Sequence, residues 1–420
     1  MSAVLQLPTQ ALDRPIVDAA FLNDPYPVYR AMREAGPIHW SNEFFGGAWL
    51  LTSHADVESV LRDPSRFAAQ RTGGWITATE ETRGELAGLQ QVFARAMLFL
   101  DGHHHSQIRR VLNAGFRLEI LQRLVPHIEL IVSGLLDNVA HLSRFDFMQA
   151  VAQPLPVRVM TRFMGIEAAV HDDVMVWSGA LAEFIGAPLP NRSIARRAQA
   201  SLLAMTRYFE TLLPEKRLNP GDDLLSRLVQ AEAAGEIEAG AELLAQCAML
   251  LFAGHETTRN LLGNGMLALL SHPEQWQRLQ REPELIPGAV RELLRFDSPV
   301  QYTGRRVTTD LLLHGHRLRR GDLVVPLIGA ANRDPARYPE PDTFDISRCN
   351  GSSLSFGSGP HVCIGAALTR LETEACLRQM VRRYPELQLA DFAPRWNGNP
   401  VYRGLAALPL RRGFGNTPPA

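Results

Sequence analysis

Phe356-Gly357-Ser358-Gly359-Pro360-His361-Val362-Cys363-Ile364-Gly365 is the stretch on which the reading of this chain turns. Three of its ten residues are glycine, which permits positive φ and lets backbone lie close to a flat ligand. Cys363 stands just ahead of an amphipathic helix expected from Ile364 to about Arg383. A helix start offers partial positive charge and free N–H groups, and both favour a thiolate. Gly365 follows two residues on and leaves room beside the sulfur. The plainer alternative is a buried free cysteine in a glycine turn. Phe, Gly, Gly, His, Cys and Gly at these spacings are far more restrictive than a lone cysteine, and point to a sulfur ligand in a loop shaped for a planar group.

Outward from the loop, the whole chain sets bounds. Its 420 residues, 46% hydrophobic and 21% charged, have the balance of a globular protein rather than a disordered or fibrous one. A net charge of −1 and the lack of any Lys/Arg run argue against wholesale binding to nucleic acid or an acidic membrane. Met1 to Leu22 lacks the basic head and apolar core of a secretory signal. The longest apolar run, Cys247 to Gly254, is far short of the ~18 residues that span a bilayer. Cys247, Cys349, Cys363 and Cys376 are too sparse for a disulfide framework and lack zinc spacing, so a reducing cytoplasm is the expected location.

Short helices are expected at 26–35 and 54–62, with strand material at Gly46–Thr52 between them. Helical periodicity runs from His103 to about Leu270, broken at Pro154, 188–190 and 219–221. The proline-free stretch from about Glu236 to Ser271 favours one long helix, and another covers Ile286 to Arg295. Alternation at 311–325, with turns at His314-Gly315 and Arg320-Gly321, reads as hairpins, and Pro335, Pro339 and Pro341 mark a meander. The fold class expected is mainly α with a minor β-sheet region, in a single domain.

The loop resembles the heme-binding signature of cytochromes P450, with Cys363 in the axial-ligand position. Further segments match in the correct order, from about Asp24-Pro25-Tyr26 to about Leu410, and resemble the soluble bacterial members. The resemblance implies the P450 fold over residues 23–412, an N-terminal extension 1–22 and a C-terminal tail 413–420. It implies heme b (iron protoporphyrin IX), whose iron Cys363 would hold, pushing electron density that favours O–O cleavage. Phe356, Gly357, His361 and Gly365 would line that cofactor.

Glu292 and Arg295, at i and i+3, share a helix face. With Arg348 they match the family's structural Glu-x-x-Arg and meander arginine, which hold the scaffold behind the loop. His105 and Arg109, at i and i+4, match the His-x-x-x-Arg that meets a heme propionate, and Arg305 and His361 match two further propionate contacts. Cationic and donor groups are what buried carboxylates require. The run His103-His104-His105 leaves open which histidine is used, although only His105 stands four residues before Arg109.

Ala253-Gly254-His255-Glu256-Thr257-Thr258 lies inside the expected long helix, where a glycine costs ~1 kcal/mol against alanine. It matches the family's acid–alcohol motif. By that match Ala253 and Gly254 leave space for dioxygen, Thr257 bonds the oxygen and Glu256 relays protons. Oxygen cleavage needs two directed protons, so a hydroxyl with a carboxylate is a sensible pair.

The resemblance also places Thr72–Leu100, with Trp75, Ile76, Leu98 and Phe99, beside the substrate pocket, together with Met249, Phe252, Val300, Gln301 and Tyr302. These favour a mainly apolar organic substrate. No flavin or nicotinamide fingerprint is present, so electrons from NAD(P)H are expected through a separate ferredoxin and ferredoxin reductase, with Arg110, Arg370 and Arg378 as docking candidates. The function expected is insertion of one atom of O2 by hydroxylation or epoxidation. The alternatives are oxidative coupling or rearrangement on the same heme-thiolate centre, or a non-catalytic heme-binding relative; the intact Glu256-Thr257 pair and Cys363 speak for catalysis.

Overall fold

The long helix Ala241–Ser271 packs against helices Ala87–Arg95, Pro154–Met164, His171–Gly186, Arg192–Leu218 and Ile286–Phe296, and most of its side chains are buried. It starts five residues later than the proline-free stretch allows, because Gly240 turns the chain with φ +75° just ahead of it. The computed structural model describes residues 16–70, 85–188, 190–349, 351–390 and 393–413. Among these no helix is long and apolar enough to cross a membrane, and all four cysteines are free.

The two early helices form at Tyr26–Ala35 and His54–Arg62. The second is capped by Ser53, whose hydroxyl accepts from the Asp56 N–H at 3.1 Å. The helical run that follows divides into Gly102–Gly115, Leu118–Val139, Pro154–Met164, His171–Gly186, Arg192–Leu218 and Leu224–Ala233. Pro154 does not simply break this run. It occupies the first turn of its helix, where its missing N–H is harmless, and a π-helical turn, Met148–Ala152, leads into it.

Ala48–Leu51 and Leu323–Pro326, each buried along its whole length, pair in parallel at the centre of a five-stranded sheet. Ile38–Ser41 flanks one side, and Arg305–Val307 with Phe67–Ala68 the other. One expected hairpin is present. Leu311–Leu313 pairs with His316–Leu318 across His314 (φ 49°) and Gly315 (φ 80°), the two positive φ values that a tight hairpin turn requires. The second is not a hairpin. After Gly321 the chain enters the main sheet, because Leu323–Pro326 finds its partners in Arg305–Val307 and the distant Ala48–Leu51.

The stretch expected as an extension, 1–22, is anchored at points of its described part. Ile16 and Phe21 are buried, and the Ile16 and Val17 N–H groups donate to the Glu43 carboxylate at 2.7 and 3.0 Å. One small sheet joins distant segments, Arg144–Asp146 with Pro409–Arg412 and Leu387–Leu389, and another pairs Arg395–Trp396 with the nearby Leu405–Ala407.

Candidate active site

The loop's glycines divide their duties. Gly357 and Gly359 take φ of +72° and +71°. At Gly359 a Cβ would stand 2.7 Å from the Arg62 Cα and 2.8 Å from the Leu61 carbonyl, so no side chain fits. Gly365 is less constrained than expected, since a Cβ there would lie 3.9 Å from the Cys363 Sγ, an ordinary contact. The Cys363 N–H donates to the Phe356 carbonyl at 2.8 Å and closes the loop on itself. The cysteine helix begins at Ala366, two residues after the expected start.

Cys363 lies deep in the chain yet faces the open space of an internal cavity of about 310 Å³. Burial pushes its thiol above the usual range, while the N–H groups of Gly365 and Ala366 and the cations of Arg109 and Arg370 pull the other way. The helix-start donors are present as expected, but in the chain alone desolvation outweighs them. A metal cation held at the sulfur would supply the missing stabilisation of the thiolate.

Opposite the loop, the long helix contributes Ala253, Gly254, Glu256 and Thr257 to the same cavity. The Thr257 hydroxyl donates back to the Ala253 carbonyl at 3.3 Å. Glu256 is buried and accepts from the Arg259 guanidinium at 2.8 Å. A Cβ on Gly254 would meet the Met160 sulfur at 2.5 Å, so its missing side chain also serves the close crossing with Pro154–Met164, while Gly254 and Ala253 both line the cavity.

A cluster of basic groups edges the loop. Arg305 is buried and, among the described residues, bonds only the Gly304 carbonyl (2.8 Å) and the Thr303 hydroxyl (3.5 Å). Burial lowers its pKa to about 10, with Asp101 opposing. Of the three adjacent histidines, His103 and His104 are exposed, and His104 bonds Glu242. His105 is buried, its Nε2 has no partner, and its ring lies 4.1 Å from that of His361. Burial, His361 and Arg109 drive its pKa down to about 4. Arg109 lines the cavity and donates to the Val362 carbonyl at 2.6 Å, tying its helix to the loop.

Behind the loop, the Arg295 guanidinium meets Glu292 through two bonds of 2.7 Å, and Arg348 adds a third of 3.3 Å. The two arginines spend their remaining donors on the carbonyls of Asn332, Pro339, Glu340, Pro341 and Thr343. The meander is therefore stitched to Ile286–Phe296 by guanidinium groups.

Met249, Phe252, Val300 and Tyr302 line the cavity. Gln301 does not. In this extended stretch alternate residues face opposite ways, so Gln301 points back into the protein and bonds the Ser298 carbonyl (2.8 Å) and the Tyr26 hydroxyl (3.4 Å). Leu98 lines the cavity, whereas Phe99 is buried against Phe93 with ring centroids 5.1 Å apart. Trp75 and Ile76 lie outside the described residues. Arg110 and Arg378 are exposed, while Arg370 is half-buried over the Phe356 ring.

Among the polar lining residues that sequence reasoning missed are Gln246 and Glu372. Glu372 is buried, its Oε2 lacks a partner, and burial holds its carboxyl well above the usual range. The signal was available: Leu368, Glu372 and Cys376 follow one another at i+4, which places an acid on the buried stripe of its helix.

A buried cation without a carboxylate partner among the described residues, an unpartnered imidazole nitrogen and a sulfur facing a cavity form a coherent donor set. It fits an iron porphyrin held through sulfur, with acidic edge groups received by His105, Arg109, Arg305 and His361. Comparison with known proteins agrees. The family model described as Cytochrome P450 matches residues 204–391. Cytochrome P450 107B1 of Saccharopolyspora erythraea is 37% identical over 94% of this chain and 97% of its own. Cytochrome P450 monooxygenase PikC of Streptomyces venezuelae is 36% identical over 95% and 94%. The crystal structure of P450BioI, in complex with an acyl carrier protein ligated to hexadec-9Z-enoic acid, superimposes with a TM-score of 0.87 at 31% identity, over 94% and 100% of the chains. The chain belongs to the cytochrome P450 family. Membership brings a heme iron cofactor and makes the protein an oxidoreductase of the monooxygenase type.

Proposed function

We propose that this monooxygenase inserts one atom of O2 into a mainly apolar organic substrate, by hydroxylation or epoxidation, at a heme b held by Cys363. The observation that carries the reading is the meeting of Cys363, Thr257 and Glu256 on one cavity whose remaining wall is largely aliphatic and aromatic. Heme bound there supplies the redox chemistry that activates dioxygen. His105, Arg109, Arg305 and His361 receive its carboxylates, and Glu292, Arg295 and Arg348 keep the loop in shape.

The chain's own part in the reaction is to place protons and exclude water. Thr257 can release its 3.3 Å bond to Ala253 and turn its hydroxyl to dioxygen in the cavity. Glu256 stands next to it at the wall, and breaking its bond to Arg259 frees a carboxylate to carry protons inward. Met249, Phe252, Val300 and Tyr302 hold an apolar substrate by burial and keep bulk water out. A separate ferredoxin and its reductase deliver electrons from NAD(P)H, the ferredoxin docking near Arg110, Arg370 and Arg378.

The test is Thr257→Ala, assayed with apolar compounds chosen because they perturb the heme spectrum. The variant should bind heme and compound as before and still consume reductant. Product formed per electron pair should fall by about tenfold or more, with hydrogen peroxide making up the difference. Unchanged coupling would mean that a group other than the Thr257 hydroxyl directs protons to the oxygen.

A further inference from the structure

Gln246 lies two helical turns before Ala253, is buried, and lines the cavity. Its side-chain amide does two jobs at once. Oε1 accepts the Met97 N–H at 3.0 Å, and Nε2 donates to the Arg95 carbonyl at 2.6 Å. Arg95 ends helix Ala87–Arg95 and Met97 begins the 3-10 turn Met97–Phe99. At such a junction a carbonyl and an N–H lose their helical partners. The Phe99 N–H, the natural donor to Arg95, turns to the Ala96 carbonyl instead. Only a side chain with both an acceptor and a donor can satisfy the pair.

A second glutamine repeats the device at the other end of the same helix. Gln199, on Arg192–Leu218, accepts the Leu89 N–H at 3.1 Å and donates to the Glu85 carbonyl at 2.7 Å. The helix and its 3-10 turn are thus hung between two long helices by two amides. The end held by Gln246 carries Met97 and Leu98, which line the same cavity as Met249 and Leu250.

We propose that Gln246 is a positioning residue for substrate selection: its amide clamp fixes how far the Met97–Leu98 wall projects into the cavity, and so limits the length of ligand that fits. The proposal rests on the reading of the cavity as the substrate site beside a heme held by Cys363. Gln246 itself need touch no substrate. It acts through the two backbone groups it holds.

The experiment uses the heme-loaded protein and three iron-ligating probes of rising length: imidazole, 4-phenylimidazole and 4-(4-biphenylyl)imidazole, each titrated by its shift of the heme spectrum. Imidazole is too short to reach the wall and serves as the internal reference. Gln246→Met, similar in size but unable to bond either group, should leave imidazole affinity within about twofold and move the phenyl-to-biphenyl affinity ratio about tenfold toward the longer probe. Leu98→Ala trims the wall directly and should move the ratio the same way. Should Gln246→Met not accumulate with heme, Gln246→Asn, which keeps an amide too short to span both groups, replaces it with the same expectation. A ratio unchanged in the Gln246 variant overturns the clamp, as does a shift in Leu98→Ala alone. Failure of imidazole to perturb the unmodified protein would instead strike the heme-site reading, so the two failures are distinguishable.

Discussion

Glu292 and Arg305 are both buried charged side chains near the cysteine loop, yet the chain treats them oppositely. Behind the loop, Glu292 meets two guanidinium groups, accepts the Asp345 N–H at 3.1 Å as well, and leaves neither arginine without a carbonyl or carboxylate partner. On the cavity side, among the described residues, Arg305 has two contacts and no carboxylate partner, His105 Nε2 has no partner, and Glu372 keeps a sealed, unpartnered oxygen. Burying polar groups unpaired costs stability, so a chain that can satisfy one cluster fully and leaves the other open has a reason. The closed cluster is a scaffold complete in itself. On the proposed function, the open one is finished by the cofactor.

The largest effect should come from breaking the closed cluster. Glu292→Ala leaves the buried Arg295 and the half-buried Arg348 without their carboxylate, at a cost of about 3–5 kcal/mol. Against a total stability of roughly 5–15 kcal/mol, that predicts little folded, heme-loaded protein. Heme content and the urea midpoint measure it. A variant that keeps both would mean the cluster is less consequential than its geometry indicates.

Arg305→Leu breaks the open side and should behave differently. Removing an incompletely paired cation leaves the fold intact, so circular dichroism should match the unmodified protein. Heme should be lost faster to an acceptor globin, by about tenfold, because a charge-assisted contact to a cofactor carboxylate is gone. If folding fails instead and heme retention in the folded fraction is unchanged, Arg305 belongs to the scaffold and the contrast between the two clusters collapses.

The same contrast explains what is legible in the sequence. Cys363 and the loop glycines are legible in one short, restrictive stretch, and Glu292, Arg295 and Thr257 become so through the resemblance of their short motifs to those of the cytochrome P450 family. The helices at Tyr26–Ala35 and His54–Arg62 are readable from short spacings along one helix. What escapes depends on partners far along the chain. The close approach of Met160 to Gly254 escapes, as do the pairing of the Leu323–Pro326 strand with Ala48–Leu51 and of Arg144–Asp146 with Pro409–Arg412. Gln301 is misplaced when residues 300–302 are read as one lining block, because an extended chain turns alternate residues away. Gln246 escapes for the subtler reason that its partners are backbone groups, which no residue pattern announces.

The smallest effect has the opposite sign to the first and sharpens the comparison most. Glu372 lines the cavity, and burial alone holds its carboxyl well above the usual range, with no cation to oppose it. A raised folded pKa means that the folded state keeps a proton which the unfolded chain gives up above about pH 4.5. Stability from this group is therefore full below that pH and is lost as pH rises toward the folded value. Glu372→Met removes both the titration and the unpartnered oxygen at similar volume. It should stabilise the protein by about 1 kcal/mol, and by more at pH 8 than at pH 5. Urea unfolding of both proteins at the two pH values checks the size and the slope. Destabilisation at pH 8 would mean that Glu372 is ionised and paired when heme is in place. The open side would then be closed by the cofactor more completely than Arg305 and His105 alone imply.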